Sequence, residues 1–362
     1  MDAVYLLLGV LLVVLVMWDL FQAVVVPRPT PGWFRIGRYV IRTSWRVFRA
    51  VGGGRDGRRR ETLLGLYAPA ATIALLVIWL AALVVGYGLI LFGLRDQLRP
   101  APQDLGTTLY FAATSILTLG GDIVAAGPLA RIVIVLAAAS GLGVVALVVT
   151  FLFSLYGSYQ RREVQVVALQ AAAGGPPSAV ALLETYARLD LVGRLPDLFV
   201  DWERWSAEVL DTHVAYPLLG FFRSSHDNLS WIGALGAVLD AASLVLTTIE
   251  GVPRGEAELF KRVGSHLAED ISNLGYRAGP TESGGSDRSG ADSGLDRAAF
   301  DAACARLRDA GYRLVPPDRA WQGFEEVRAT YAARLEGMAT YWSMRSTSWL
   351  GADEEPQSPA HR

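Results

Sequence analysis

Residues 63–94 run without a single charged side chain, and no other feature limits the fold of this chain so tightly. A bilayer core of about 30 Å needs about 20 mainly apolar residues per helix, so the stretch reads as a membrane crossing. Two further runs qualify. Residues 3–26 are apolar except for Asp19 and Gln22, and residues 129–159 carry only Arg131, near their start. The first run is expected to be a retained helix: it lacks a basic start, is too long for a leader, and is followed by arginines rather than small residues. Composition agrees, since 52% of the residues are hydrophobic before the 37 glycines are counted, more than soluble domains carry.

Charge divides the chain. Residues 1–160 hold 13 Arg against 7 Asp and Glu, and residues 161–362 hold 20 Lys and Arg against 28 Asp and Glu. The halves are therefore expected to face different surroundings, and the mildly acidic balance of the whole, net charge -2, argues against a dedicated nucleic acid binder. The single Cys304 excludes an intrachain disulfide and a cysteine-rich metal site. Between the first two runs stand Arg28, Arg35, Arg38, Arg42, Arg46, Arg49, Arg55, Arg58, Arg59 and Arg60, opposed only by Asp56 and Glu61. The positive-inside rule puts that loop in the cytoplasm, the N-terminus and residues 95–105 outside, and Arg161 and Arg162 inside. A multi-pass protein of the cell membrane is expected. Trp33, Phe34, Tyr39, Trp45 and Phe48 recur among these arginines at helical intervals, as in an amphipathic helix lying on an anionic inner leaflet. Asp19, a carboxylate within the first run, reads either as partner to a loop arginine or gating site, or as a helix-end residue at the interface, the plainer reading.

Residues 106–121 are apolar but too short to cross, so they dip in and return or lie buried. At membrane depth a non-helical stretch such as LTLGGD survives only inside protein or against water. A short helix leading into a Thr/Gly-rich extended segment is what an ion filter needs: the helix C-terminus faces a cavity, and glycines let carbonyls replace the water shell of an ion. Asp122 then stands at the outer mouth. The rival reading is a plain glycine-rich turn.

Residues 110–122 (YFAATSILTLGGD) resemble the pore helix and filter of the bacterial two-transmembrane pore-loop potassium channels. Paired aromatics and Thr-rich turns lead to a filter in which Thr118, Leu119, Gly120, Gly121 and Asp122 match T-V-G-Y-G-D with one residue missing, the aromatic between the glycines. Arg131 and Gly141 stand ten apart, as do the arginine and hinge glycine of that family's inner helix. The resemblance covers about residues 62–162. It implies Thr118 to Asp122 as selectivity filter, Gly141 as gating hinge, and monovalent cations, potassium first, as the permeant species. Losing one residue removes about one layer of carbonyls and a bracing aromatic, so weakened potassium selectivity is expected. One pore loop cannot enclose an axis, so a homotetramer is expected, with Leu142, Val145, Val149 and Phe153 on a stripe lining the pore. The same stripe suits packing against neighbouring helices equally well.

The expected fold is an all-α membrane protein: three transmembrane helices plus one re-entrant pore helix and filter, followed by a cytoplasmic α-helical domain. The expected divisions are 1–27, 28–61 (basic linker), 62–162 (outer helix 63–94, pore loop 106–122, inner helix 129–159), 163–276 (helical domain), 277–295 (flexible linker), 296–346 (two helices, 296–310 and 317–345) and 347–362 (disordered tail). Ser178 is expected to cap one helix, residues 197–212 to form another, and the Ser225 to Asn228 cluster to cap residues 229–249. Asp240 and the many small residues make that last stretch a bundle core rather than a fourth span. No glycine fingerprint after a strand, nucleophile elbow, phosphate loop or paired carboxylates appear, so neither an enzyme nor a cofactor is expected, and the cytoplasmic partner is open. His213, His226, Asp227, His266 and Glu269 lack metal-ligand spacing. Against the channel stands one alternative, a non-conducting scaffold or sensor whose pore fold has degenerated and whose cytoplasmic domain binds a partner.

Overall fold

The computed structural model describes residues 2–26, 36–52, 57–224, 226, 228–275, 296–344 and 348–351. Trp33, Phe34, Ser225, Asp227, the linker expected at 277–295 and the tail beyond residue 351 lie outside them. The chain divides after Gly157 into two units.

The first unit holds α1 (Asp2–Leu20), followed by one wider π-type turn, Phe21–Val25, then α2 (Ile36–Gly52), α3 (Gly57–Gly65), α4 (Tyr67–Gly93) and α5 (Leu105–Ile116). It also holds most of α6 (Pro128–Ala173). Three helical stretches, Asp2–Val24, Arg59–Gly93 and Pro128–Ala173, are long and apolar enough to cross a membrane, as the sequence leads one to expect. The protein is an all-α membrane protein. A two-residue antiparallel ladder, β1 (Leu98–Arg99) with β2 (Val124–Ala125), pairs Leu98 with Ala125 and closes the segment containing α5.

Glycine decides how α1 meets α4. A Cβ on Gly9 would lie 2.5 Å from the Gly86 carbonyl oxygen, and one on Gly93 would lie 2.8 Å from that of Asp2. Backbones that touch in this way supply the van der Waals contact on which helix association in lipid depends. Arg95 pairs with Asp2 at 2.9 Å, and Tyr5 packs edge-on against Phe92. Of the aromatics expected to face lipid from the basic loop, Trp45 and Phe48 instead close edge-on onto Tyr67, with ring centroids 4.9 and 5.2 Å away. The Tyr67 hydroxyl donates to the Ile41 carbonyl at 2.6 Å. Tyr39 alone of the described three stays exposed on the far side of α2.

The second unit starts with the last turns of α6 and continues through α7 (Ala179–Arg188), α8 (Leu195–Ala215), α9 (Trp231–Thr247), α10 (Gly255–Asn273), α11 (Arg297–Asp309), α12 (Pro317–Ala329) and α13 (Ala332–Tyr341). Ser178 caps α7, as expected, and Asp296 caps α11. α9 is buried along its whole face from Trp231 to Val245, so its apolar character belongs to a core. Its buried Asp240 accepts from the Arg328 guanidinium at 3.2 Å and from the Tyr331 hydroxyl at 2.6 Å.

Four expectations need correction. The cap of α9 is Ser230, accepting from the Gly233 amide, and not the Ser225 to Asn228 cluster. The helix expected over 317–345 breaks at Thr330 and Tyr331 into α12 and α13, because Tyr331 turns inward to Asp240. The inner helix does not stop near residue 159 but runs to Ala173. Residues 348–351, expected in a disordered tail, are docked: Trp349 and Leu350 are buried, and their carbonyls accept from the first amides of α7, at Ala179 and Val180. A helix N-terminus has such donors to spare.

Candidate functional site

The re-entrant segment begins with a built cap. The Asp104 side chain accepts from the Thr107 amide at 2.8 Å and from the Thr107 hydroxyl at 2.7 Å. These bonds from Thr107 hold its carboxyl below the usual range, leaving a negative charge at the positive end of α5. The opposite, negative end of α5 points into the loop that follows.

That end closes as a Schellman turn. The Thr118 amide donates to the Ser115 carbonyl at 3.1 Å and the Leu119 amide to that of Thr114 at 2.8 Å. The residue in the left-handed position is Thr118, at φ 56°, where glycine is the usual occupant. A β-branched residue held there costs on the order of 1–3 kcal/mol, and such strain gathers at functional positions. Gly120, two residues on, is also left-handed at φ 76°. A backbone that changes hand at alternate residues can present successive carbonyls to the same side, whereas a strand alternates them. The expected filter is therefore not simply extended from Thr118. Thr118 both ends the helix and opens the loop. Thr118, Leu119, Gly120, Gly121 and Asp122 are all exposed, while Thr114, Ser115 and Ile116 in the last turn of α5 behind them are buried.

α6 carries the rest. Gly141 is buried against the last turn of α5: a Cβ there would meet the Ile116 carbonyl oxygen at an impossible distance and lie 2.7 Å from Ile116 Cγ2. The helix runs unbroken through this point, and close approach to Ile116 is a demand on this glycine that the sequence did not show. One residue earlier, Ser140 Oγ lies 2.7 Å from the Tyr87 hydroxyl of α4. Leu142, Val145, Val149 and Phe153 are exposed, Phe153 at 77%. The sequence offered no sign of Gln97. Its side-chain oxygen accepts from the Leu129 and Ala130 amides at the start of α6, and its backbone carbonyl from Ala126 and Gly127. One residue thereby anchors the return of the loop.

Asp19 stands apart from this group. It is 3% exposed and accepts from the Trp79 indole of α4 at 2.9 Å. The carboxylate sits in the last turn of α1, the helix-end position of the plainer reading, with the Trp79 indole as a partner that the sequence did not name.

At the root of α6, in the second unit, Arg162 is buried with a full set of acceptors. It donates to Glu163 at 2.9 Å and to the carbonyls of Leu219 and Phe222 at 3.0 and 2.8 Å. His213 Nδ1 lies 2.8 Å from the Val209 carbonyl, which can only accept, so Nδ1 carries the proton and Nε2 receives Arg162 Nη1 at 3.3 Å. Burial, with the Arg162 charge adding to it, lowers the His213 pKa to about 3. The imidazole is thus a neutral core residue. His266 pairs with Asp270 and Glu269 with Arg334. Among the described residues no group of three or more His, Cys, Asp or Glu side chains stands ready for a metal ion.

Residues 72–157 match the family model described as ion channel. The match takes in most of α4, the whole re-entrant segment and α6 as far as the unit boundary. This likeness to an ion-channel model, over this part of the membrane protein, points to transport rather than catalysis. No curated protein and no solved structure matches the chain.

Proposed function

We propose that the protein is a homotetrameric pore-loop channel that passes monovalent cations, potassium among them, down their gradient with weakened potassium selectivity. One observation carries this reading: α5 ends in a left-handed Thr118 and an uncovered Thr/Gly loop, its helix dipole aimed at that loop. Among the described residues the loop is uncovered on its exposed side. Four copies around an axis cover that side and set four Asp122 carboxylates at the mouth, where they concentrate cations. Leu142, Val145, Val149 and Phe153 then line the path. The membrane is the cell membrane, with the N-terminus outside and the second unit in the cytoplasm. Exposed Arg42 and Arg46 of α2 face anionic headgroups of the inner leaflet.

The test is single-channel recording of the purified full chain in planar bilayers under opposed potassium and sodium gradients. Unitary currents with a reversal potential between the two equilibrium values are expected. A silent bilayer at verified incorporation removes conduction and leaves the scaffold reading, which the missing filter residue favours.

A further inference from the structure

Gly86, Tyr87 and Gly88 of α4 each touch a different helix of the first unit. A Cβ on Gly86 would lie 2.7 Å from the Val13 side chain of α1, and one on Gly88 would lie 3.2 Å from the Leu109 backbone of α5. Between them Tyr87 is buried, and its hydroxyl reaches α6, 3.2 Å from the Leu136 carbonyl and 2.7 Å from Ser140 Oγ. The carbonyl can only accept, so the Tyr87 hydroxyl donates to it and accepts from Ser140 in turn. Leu136 and Ser140 stand one turn apart on the same face of α6. Two bonds from one hydroxyl therefore fix the rotation of α6 against α4 as well as its height. The residue after Ser140 is Gly141, seated on Ile116, the last helical residue of α5. Leu117 and the loop from Thr118 follow directly.

We propose that Tyr87 is a positioning residue for ion choice: it holds α6 at the rotation in which Gly141 seats on Ile116, and so sets where the Thr118 to Asp122 loop begins. The role rests on the channel reading above, in which that loop discriminates between ions. Two features suit Tyr87 to it. Its backbone is held on either side by glycines packed on α1 and α5, so the ring does not follow α6 when that helix turns; a group that positions others has itself to be locked. Phenylalanine would also fill the same buried volume. A buried hydroxyl in a membrane-crossing helix is costly unless it is bonded, so packing alone does not ask for one here, whereas a fixed bond to α6 does.

The test is unitary recording of the full chain in planar bilayers under opposed potassium and sodium gradients, for Tyr87→Phe, Ser140→Ala, the two together, and Tyr67→Phe. The last removes another hydroxyl of α4, whose partner is the Ile41 carbonyl of α2. The reversal potential belongs to each open pore, so a smaller folded fraction lowers the number of events and not this value. Tyr87→Phe is expected to shift it toward the sodium equilibrium value and Ser140→Ala to shift it the same way by less. The double variant is expected to match Tyr87→Phe, and Tyr67→Phe to keep the parent value. Where Tyr87→Phe yields no channels, Ser140→Ala decides: a shift upholds the role and the parent value overturns it. A conducting Tyr87→Phe at the parent value overturns the role and leaves the channel reading standing. An equal shift in Tyr67→Phe does the same, since it assigns the effect to a loosened α4, and so does a double variant in which the two shifts add. A parent silent at verified incorporation overturns the channel reading and this role with it.

Discussion

Gly141 of α6 touches the backbone of Ile116 in α5, and Ile116 is the last helical residue before the loop that ends at Asp122. A side chain at Gly141 therefore cannot be added without moving the residue on which that loop is built. Gly143, two positions on, meets nothing within 4 Å of where its Cβ would be. The two glycines separate packing from flexibility.

Gly141→Ala is expected to lower stability by about 1–3 kcal/mol, the range for overpacking, and to alter currents through displacement of Ile116. Gly143→Ala stiffens the same helix and is expected to be neutral or slightly stabilising, since alanine is the better helix former. Thermal melting in detergent and bilayer recording check both. Equal changes in gating from the two variants would favour helix flexibility and count against the packing account.

Asp19 and Trp79 form a second pair with a consequence. Trp79→Phe keeps an aromatic ring but removes the indole donor, leaving a buried carboxylate short of a partner at about 1–3 kcal/mol. Asp19→Asn keeps an oxygen acceptor and sheds the charge, so it is expected to cost less. Melting temperatures in that order, with Trp79→Phe the lower, bear this out; the reverse order means that the charge of Asp19 is matched by a contact other than Trp79.

The membrane half was legible because lipid leaves few choices. Uncharged length, arginine placement and an apolar segment too short to cross lead to three spans and a re-entrant loop without any knowledge of packing. What escaped was set by contacts between distant residues. Arg161 and Arg162 read as the end of a span, yet Arg162 is accommodated by Glu163 and two carbonyls some 60 residues away in sequence, at Leu219 and Phe222, and the helix goes on. Nothing local breaks 317–345; Asp240 does, by drawing Tyr331 inward. Trp349 docks because Gly236 leaves room for its ring. The role of Thr118 was half visible, since its identity was plain but its left-handed backbone was not.

His213 links the second unit to pH. Its imidazole is neutral when folded, with the pKa held near 3, against about 6.5 in an unfolded chain. Above about pH 6.5 neither state binds the proton and the group is neutral in effect. As pH falls from there toward 3, the unfolded chain takes up a proton that the folded one refuses, and stability drops by up to about tenfold in the folding equilibrium per pH unit. Arg162 faces the ring and opposes the charge; Glu163 is already bonded to Arg162 and the Trp231 ring, 5.0 Å away, adds no acceptor. His213→Asn removes the titration. The melting advantage of the parent over this variant is therefore expected to shrink between pH 7 and pH 4, and parallel declines of both would assign the acid sensitivity to other groups.

Ion choice is where the loop itself is tested. Thr118 to Asp122 has one glycine directly after another where an aromatic would separate them, so it offers fewer carbonyl layers and no ring to brace them against α5. Fewer layers mean fewer places at which a dehydrated potassium ion is preferred to sodium. Inserting Tyr between Gly120 and Gly121 is expected to move the reversal potential toward the potassium equilibrium value. Asp122→Asn should reduce conductance most at low ionic strength, because the field of an exposed carboxylate is screened within about 10 Å at 0.1 M salt and reaches about 30 Å at 0.01 M. A parent channel that already reverses at the potassium value would show that five residues suffice, and that the strained Thr118 supplies what the missing aromatic does not.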